Sequence, residues 1–375
     1  MNFVSPVRGD PRHAGMPPID LSHRPLTFFE FWPANLWYAP AAAYWILLGL
    51  RYRSFTLPTA ANPGLPAGGV SGEAKSEVLA AAGPMTQALI APYAVIDKGH
   101  GPEATAHAFD AALKAIADMS LGFPIVTKPN IGCRGAGVRL SRTSHELRAY
   151  IESFPEDAKI MLQRYVDLEG EAGIFYVRFP NSAEGFIPSL TLKYFPYVIG
   201  DGKRSLEQLI LDDPRAGKVP HIYFKRHQER LKEILPAGTR YRIAFAGNHA
   251  RGAIFRDGTP LVTPALLRRM DELAMDIKGF YFGRFDVRFA DFTQVLQGRE
   301  FTIIEFNGAG AEFTHFWDPK FNILGAYREM FCQLRLAFEV GAANRARGFK
   351  PMGLLELDRL RRYEEKLTRH YPETQ

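Results

Sequence analysis

Two stretches late in the chain, GRFDVRF at residues 283–289 and FTIIEFN at residues 301–307, alternate apolar and polar positions with period two. That pattern predicts half-buried strands, and the polar loop between them, which holds Gly298, predicts a β-hairpin. Side chains two apart on a strand point the same way. Arg284, Asp286 and Arg288 therefore share one face, and Glu305 and Asn307 share one. If Asp286 pairs with Glu305, the midpoint falls between Val295 and Leu296, inside the loop. The register is self-consistent, and it brings two carboxylates and an amide together.

Spacing near 3.6 predicts helices elsewhere. Residues 103–119 follow Pro102 and place Phe109, Ala112, Leu113 and Ile116 on one face. Residues 144–154 open with a capping box, Thr143 and Glu146, and bury Leu147, Tyr150, Ile151 and Phe154. Residues 323–346 and 354–371 read as two C-terminal helices, the second charged and amphipathic, and both as packing or partner surfaces. A helix is also expected at 73–82 and a strand at 88–96. The sum is a mixed α/β, or α+β, chain.

Residues 26–50 break the pattern with Phe28, Phe29, Phe31, Trp32, Trp37, Tyr38, Tyr44 and Trp45, followed by Arg51 and Arg53. Such enrichment suits a membrane–water interface. The uninterrupted run at 36–50 is shorter than the roughly 20 residues a spanning helix needs. Two readings stand: an interfacial or re-entrant anchor, or a helix docked on the protein's own core. The aromatic segment is not expected to be a cleavable signal, since no short basic region leads into it and no small-residue cleavage site follows, and the proline-rich arm ahead of it, residues 1–25, is expected to be poorly ordered or docked.

At 375 residues the chain has room for two or three domains, and 46% hydrophobic with 23% charged residues is ordinary for a folded protein. Lysines and arginines are scattered and the net charge is only +6, so no nucleic-acid partner is expected. Cys133 and Cys332 form neither a metal spacing nor a disulfide framework, which favours a reducing, cytoplasmic location.

Candidate chemistry gathers in three places. Asp286, Glu305 and Asn307 offer hard oxygens of the kind that suit Mg²⁺, or Mn²⁺ in its place, with phosphates and water completing the shell. The plain alternative is a solvated sheet face with ordinary salt bridges. Residues 123–140, FPIVTKPNIGCRGAGVRL, deliver Lys128 from an apolar strand into a loop with Gly132, Gly135 and Gly137. Glycines let backbone N–H groups approach phosphate oxygens, and a lysine beside them neutralises charge. A simple hairpin turn would look the same, and neither a Walker loop nor a Rossmann fingerprint is present. Residues 159–178 read as two apolar strands with an acidic connection. There Gln163, Tyr165 and Val166 offer an edge and a wall for a purine, and Glu171 an acceptor for ribose hydroxyls.

Taken in order, the Lys-Pro strand with its glycine loop, Gln-x-Tyr-Val followed by Glu, GRFDV and Glu-x-Asn resemble an ATP-grasp domain over residues 85–330. The GRFDV and EFN segments are similar to D-alanine–D-alanine ligases. VIGDGKRSLEQLI and LPAGTRYRIAFAGNHARGAIFRDGT resemble the ATP-grasp part of cyanophycin synthetases. The resemblance implies an ATP-grasp fold of two α+β subdomains gripping ATP, with Mg²⁺. It assigns Lys128, and less directly Lys193 and Lys98, to the phosphates, with Gly132, Arg134, Gly135 and Gly137 covering them. Gln163, Tyr165 and Val166 would line the adenine site and Glu171 would hold the ribose. Asp286, Glu305 and Asn307 would hold one or two Mg²⁺, and Arg284 would steady the phosphate and the developing oxyanion.

The activity so implied is an ATP-dependent carboxylate–amine ligase working through an acylphosphate, with small carboxylate and amine substrates such as amino acids or peptides. The alternatives are an ATP-grasp phosphotransferase and a non-catalytic, membrane-associated ATP-binding module. After Asn307 the text GAGAEFTHFWDP replaces the serine- and proline-containing loop of D-alanine ligases, which argues against D-alanine as substrate. Arg242, Asn248 and Arg251 are candidates for gripping a substrate carboxylate, and the loop at Asp201, Gly202 and Lys203 for closing over the site. The expected organisation is an N-terminal arm and aromatic segment at 1–53, a short pre-ATP-grasp α/β unit at 54–122, the ATP-grasp domain at 123–330 and C-terminal helices at 331–375. Peripheral contact with the inner face of a membrane would run through residues 26–50.

Overall fold

The computed structural model describes residues 13–20, 24–132 and 135–374. Cys133 and Arg134 of the glycine loop lie outside the described residues. The strands are β1 Tyr93–Asp97, β2 Ile125–Pro129, β3 Arg139–Ser141, β4 Lys159–Arg164, β5 Gly170–Val177, β6 Phe186–Tyr194, β7 Tyr197–Ile199, β8 Arg240–Arg242, β9 Ile254–Asp257, β10 Phe282–Phe289 and β11 Phe301–Asn307. They form antiparallel sheets in the orders β1-β4-β2-β3, β11-β10-β5-β6-β9 and β7-β8. The longer helices are α1 Ala34–Arg51, α2 Lys75–Ala80, α3 Gly101–Asp118, α4 Ser144–Ser153, α5 Leu206–Asp212, α6 Pro264–Asp276, α7 Ile323–Ala346 and α8 Leu354–Thr368.

Helices α3 and α4 cover one face of the four-stranded sheet, where Phe109, Ala112, Ile116, Leu147, Tyr150 and Ile151 pack on Ile125, Ile160 and Leu162. The apolar stripes read from the sequence are therefore the buried ones. At the start of α4 the Thr143 side chain accepts from the Glu146 N–H, as a capping box requires. The Glu146 carboxylate reaches back one residue further than the box prescribes and accepts from the Arg142 N–H at 2.8 Å. The strand expected at 88–96 begins only at Tyr93, after a helical turn at Pro84–Gln87.

The five-stranded sheet carries the central hairpin. Phe285, Val287 and Phe289 of β10 and Ile303 and Phe306 of β11 enter a core shared with Leu266, Met270, Leu273 and Ala274 of α6. Asp286 does pair with Glu305. Beyond that pair the register shifts, so Ile304 is the extra residue of a β-bulge. The bulge explains how Ile303 and Phe306, three apart, both reach the core. In place of an open loop the chain between the strands forms a short helix, Phe292–Leu296.

Strands β4 and β5 follow one another yet lie in different sheets. All of the four-stranded sheet comes from the one segment between Tyr93 and Arg164. Where that segment begins and ends, the Arg164 N–H donates to the Pro92 carbonyl at 2.9 Å and Gln163 Nε2 to the Ala91 carbonyl at 3.3 Å. Because β1 pairs with β4, this sheet straddles residue 122, where the sequence suggested a boundary.

Helix α1 docks on α7, with ring centroids 4.9 Å apart for Trp37 and Tyr327, 4.7 Å for Tyr44 and Phe331, and 5.1 Å for Trp45 and Phe338. Its opposite side is exposed. Among the described residues no helix is long and apolar enough to cross a membrane. Past α8 the chain returns to the four-stranded sheet, where Tyr371 stacks on Phe154 at 5.1 Å.

Candidate active site

A cavity of about 1080 Å³ lies between the two larger sheets. Lys128 and Gln163 line it from the first sheet, and Glu171, Lys193, Arg284, Asp286, Arg288, Glu305 and Asn307 from the second. Period two produces the second wall: Arg284, Asp286 and Arg288 of β10, alternating with the core residues Phe285, Val287 and Phe289, face the cavity. Strands β10 and β11 bring Asp286 and Glu305 directly opposite one another, with Arg284 opposite Asn307.

Each carboxylate is held by cations. Arg284 clamps Asp286 with two parallel bonds, Nε to Oδ1 at 3.0 Å and an Nη to Oδ2 at 3.0 Å. Lys193 Nζ donates to Asp286 Oδ1 at 2.8 Å and to Glu171 Oε1 at 3.0 Å, while Arg288 Nε lies 3.0 Å from Glu171 Oε2. Lys75, from the first turn of α2, donates to Glu305 Oε1 at 2.8 Å and to the Gly132 carbonyl at 2.9 Å. Lys128 Nζ donates to Gln163 Oε1 at 2.9 Å and to the carbonyl of the bulged Ile304 at 3.4 Å.

These neighbours set the protonation states. Burial works to raise the Asp286 carboxyl, but the Arg284 guanidinium and the Lys193 ammonium outweigh it and hold it at about 2. Burial also opposes ionisation of Glu305, and Lys75 followed by Lys128 overcome it, so its pKa is lowered. Burial pushes the Lys128 ammonium down to about 8, with Glu305 resisting. At neutral pH both carboxylates are charged and Lys128 is a cation. Lys75, Lys128, Lys193, Arg284 and Arg288 thus gather around Glu171, Asp286 and Glu305, within a cavity whose wider lining adds Arg164, Arg361 and Arg369 and the carboxylates of Glu30, Glu73, Glu312, Glu364 and Glu365.

The oxygen-only set of Asp286, Glu305 and Asn307 fits a hard cation such as Mg²⁺, and it leaves the remainder of an octahedral shell to phosphate and water. Among the described residues no group of three or more His, Cys, Asp and Glu side chains is arranged to cage a metal. A cation here would be shared with its ligand, not enclosed by protein.

The glycine segment forms the cavity's rim. Gly132, Gly135 and Gly137 have φ of 153°, 69° and 72°, values that favour glycine. Gly132 and Gly135 line the cavity. The C-terminal segment holds this loop: Tyr371 Oη donates to the Ile131 carbonyl at 2.6 Å, Thr374 Oγ1 to the Gly135 carbonyl at 2.8 Å, and the Gly137 N–H to Thr374 Oγ1 at 3.1 Å. Arg361 and Thr368 of α8 line the cavity too. The last helix, expected as a packing or partner surface, thus also borders the cavity.

Other expected residues fall into place unevenly. Gln163, Tyr165 and Val166 line the cavity where the chain crosses from β4 to β5. A Cβ at Gly247 would stand 2.0 Å from Glu171 Oε1, so only glycine lets that backbone close on the carboxylate. Lys98 is not at the cavity; its Nζ donates to the carbonyls of Glu152, at 3.0 Å, and Phe154, and so secures the end of α4. Arg242 is committed to the carbonyls of Ala244 and Phe245, each at 2.8 Å. Asn248 lines the cavity, but Arg251 does not. Asp201 accepts from the N–H groups of Lys203 and Arg204 at 2.9 and 2.8 Å within its own turn, and that loop does not reach the cavity.

Lys75 and Arg288 were not assigned from sequence. Arg288 had a signal, its place two residues after Asp286. Lys75 had none, since its partner lies in a strand 230 residues away.

Two antiparallel sheets thus face one cavity, with Asp286 and Glu305 opposed on one wall. Residues 96–178 match the family model of the RimK-like ATP-grasp domain. ATP-grasp ligases use ATP and Mg²⁺. No curated protein matches the sequence. Among solved structures, the chain is similar to a bifunctional glutathione synthetase from Pasteurella multocida, with 15% identity and a TM-score of 0.34 over 69% of this chain and 35% of that one. It is also similar to the VanG D-Ala:D-Ser ligase from Enterococcus faecalis, with 13% identity and a TM-score of 0.37 over 70% of this chain and 61% of that one. A D-alanine–D-alanine ligase from Bacillus anthracis gives 14% identity and a TM-score of 0.38 over 74% and 72%. The chain thus spans about a third of the synthetase and about three-fifths of VanG.

Proposed function

We propose that this protein is an ATP- and Mg²⁺-dependent carboxylate–amine ligase that works through an acylphosphate. The observation that carries the proposal is the opposed pair Asp286 and Glu305, set among five cations in the cavity between the sheets. A substrate carboxylate oxygen attacks the γ-phosphorus and the bond to the β-phosphate oxygen breaks, releasing ADP. The amine nitrogen then attacks the acyl carbon, phosphate leaves with the bonding pair, and the amine loses a proton.

Phosphoryl transfer asks the protein mainly for positioning and charge neutralisation. Lys128 and Lys193 would hold phosphate oxygens, with the loop of Gly132, Arg134, Gly135 and Gly137 over them. Gln163, Tyr165 and Val166 would receive the adenine and Glu171 the ribose. Asp286, Glu305 and Asn307 would hold Mg²⁺, which supplies neutralisation of the phosphate charge when bound. Arg284, fixed by Asp286, would stand beside the oxyanion that develops. The acid and amine would be small molecules, amino acids or peptides among them, and the setting cytoplasmic.

The test is ADP release from Mg-ATP with pooled amino acids and hydroxylamine, comparing the wild type with Glu305→Gln. A metal-dependent hydroxamate that the variant fails to form supports the ligase. Steady ADP release with a phosphorylated acceptor and no hydroxamate would instead mark a phosphotransferase, and ATP binding without ADP release from any pool a binding module.

A further inference from the structure

Helix α1 has two apolar sides, and only one is used by the fold. Trp37, Ala41 and Leu48 are buried, yet Leu36, Ala39, Ala43, Ile46, Leu47 and Leu50 form a second stripe at spacings of three and four that faces outward. Leu47 and Leu50 are 62% and 61% exposed. No charged residue lies between Glu30 and Arg51 to interrupt the stripe. Phe28 and Trp32 extend it at one end and Phe55 at the other, all exposed. A contiguous exposed patch of this kind marks an interaction surface.

The charge at one end says what covers it. Arg51 and Arg53 follow the stripe and are exposed. Arg345 donates to the Tyr52 carbonyl at 2.9 Å, which brings the end of α7 to the same place. The Met352 carbonyl accepts from Thr56 Oγ1 at 2.7 Å and the Met352 N–H donates to Thr59 Oγ1 at 2.8 Å, so exposed Phe349 and Lys350 arrive there as well. No aspartate or glutamate occurs between Glu30 and Glu73, or between Glu339 and Glu356. Exposed aliphatic and aromatic groups ending in cations, without acids, complement the acyl and anionic headgroup layers of a bilayer.

We infer that the outward face of α1 seats this protein on an anionic membrane surface, the helix lying in the interface with the Arg51, Arg53 and Lys350 cluster on the headgroups. The inward face of the same helix lines the cavity through Trp37 and Tyr38, so the bound lipid surface adjoins a wall of the candidate active site. The inference does not depend on the ligase reading, because it rests on the exposed residues of α1 and the cations beyond it and on no ligand of the cavity.

Sedimentation of the full chain with vesicles tests it, no nucleotide being added. With phosphatidylcholine–phosphatidylglycerol vesicles the wild type is expected to sediment with an affinity at least ~10-fold above that for phosphatidylcholine alone, and to be released by salt. Leu47→Glu with Leu50→Glu, both at exposed positions, should lower binding by at least ~10-fold at unchanged melting temperature, and Arg51→Gln by about fivefold. Absence of wild-type binding to anionic vesicles, or binding unaffected by the leucine pair, would overturn the inference. So would a dimer that the leucine pair disperses while vesicle binding is absent, since the face would then belong to a second copy of the chain.

Discussion

Lys75 Nζ lies 2.8 Å from Glu305 Oε1, although 230 residues separate them in sequence. The pair joins the first turn of α2 to the hairpin and points the lysine at the glycine segment, whose Gly132 carbonyl it also meets. Lys75→Met removes the strongest influence lowering the Glu305 pKa, so that carboxyl should titrate at higher pH. ADP release at neutral pH should fall roughly 10- to 100-fold, as for loss of a charged hydrogen bond worth about 1.5–3 kcal/mol. The acidic limb of the pH–rate profile should also move upward; a limb that stays put would separate Lys75 from Glu305 in function.

Lys128 has its pKa pushed down by burial to about 8, against 10.5 ordinarily. If its charge holds phosphate, kcat/KM for ATP should decline as pH rises through about 8. The stability effect has the opposite sense. From pH about 8 to 10.5 the unfolded chain binds the proton that the folded one has lost, so this site's contribution to stability rises with pH over that window. Lys128→Met should abolish both trends, as thermal melts and initial rates across the window would reveal.

Gly247→Ala sets a methyl group 2.0 Å from Glu171 Oε1. Either the loop or the carboxylate must move, at a cost of about 1–3 kcal/mol. The expected result is a lower melting temperature together with a raised KM for ATP. A shift in stability alone would detach Glu171 from nucleotide binding.

Tyr371→Phe deletes the hydroxyl that donates to the Ile131 carbonyl but keeps the ring against Phe154. The bond is worth about 1 kcal/mol, so global stability should change little. Hydrogen exchange of the backbone around residues 131–137 should quicken several-fold. Unchanged exchange would mean that the C-terminal segment rests on the glycine loop without holding it.

Local alternation made the hairpin legible: Asp286 and Glu305 stand opposite one another as period two requires, and the stripes of α3 and α4 are the ones buried. What escaped was non-local. The bulge at Ile304 breaks the simple alternation of the strand, and it is the carbonyl of this residue that Lys128 meets. Lys98 follows a strand much as Lys128 ends one, and only the position of α4 assigns it to helix carbonyls. The amphipathic pattern of α8 does not disclose that its segment meets a glycine loop more than two hundred residues earlier. For α1 both readings of the aromatic stretch contained part of the answer, since one side docks on the core and the other is left apolar and exposed.

The four-stranded sheet is attached to the rest of the protein by two legs, at Pro92 and at Arg164, and the legs are hydrogen-bonded to each other. A swing of this sheet about its two legs, as a door moves about its jamb, would also have to break the bond from the Lys75 N–H to the Asn130 carbonyl at 2.7 Å, which ties the end of β2 to α2. In such a swing Tyr165 and Val166, beside the jamb, would move least, and the glycine loop and Lys128 would travel with the door. The Tyr371 and Thr374 contacts act as a latch on the moving part. Opening the cavity by that swing would require the chain's last residues to let go or to move with the loop, which would couple the tail to the clearance of a site formed by residues far ahead of it.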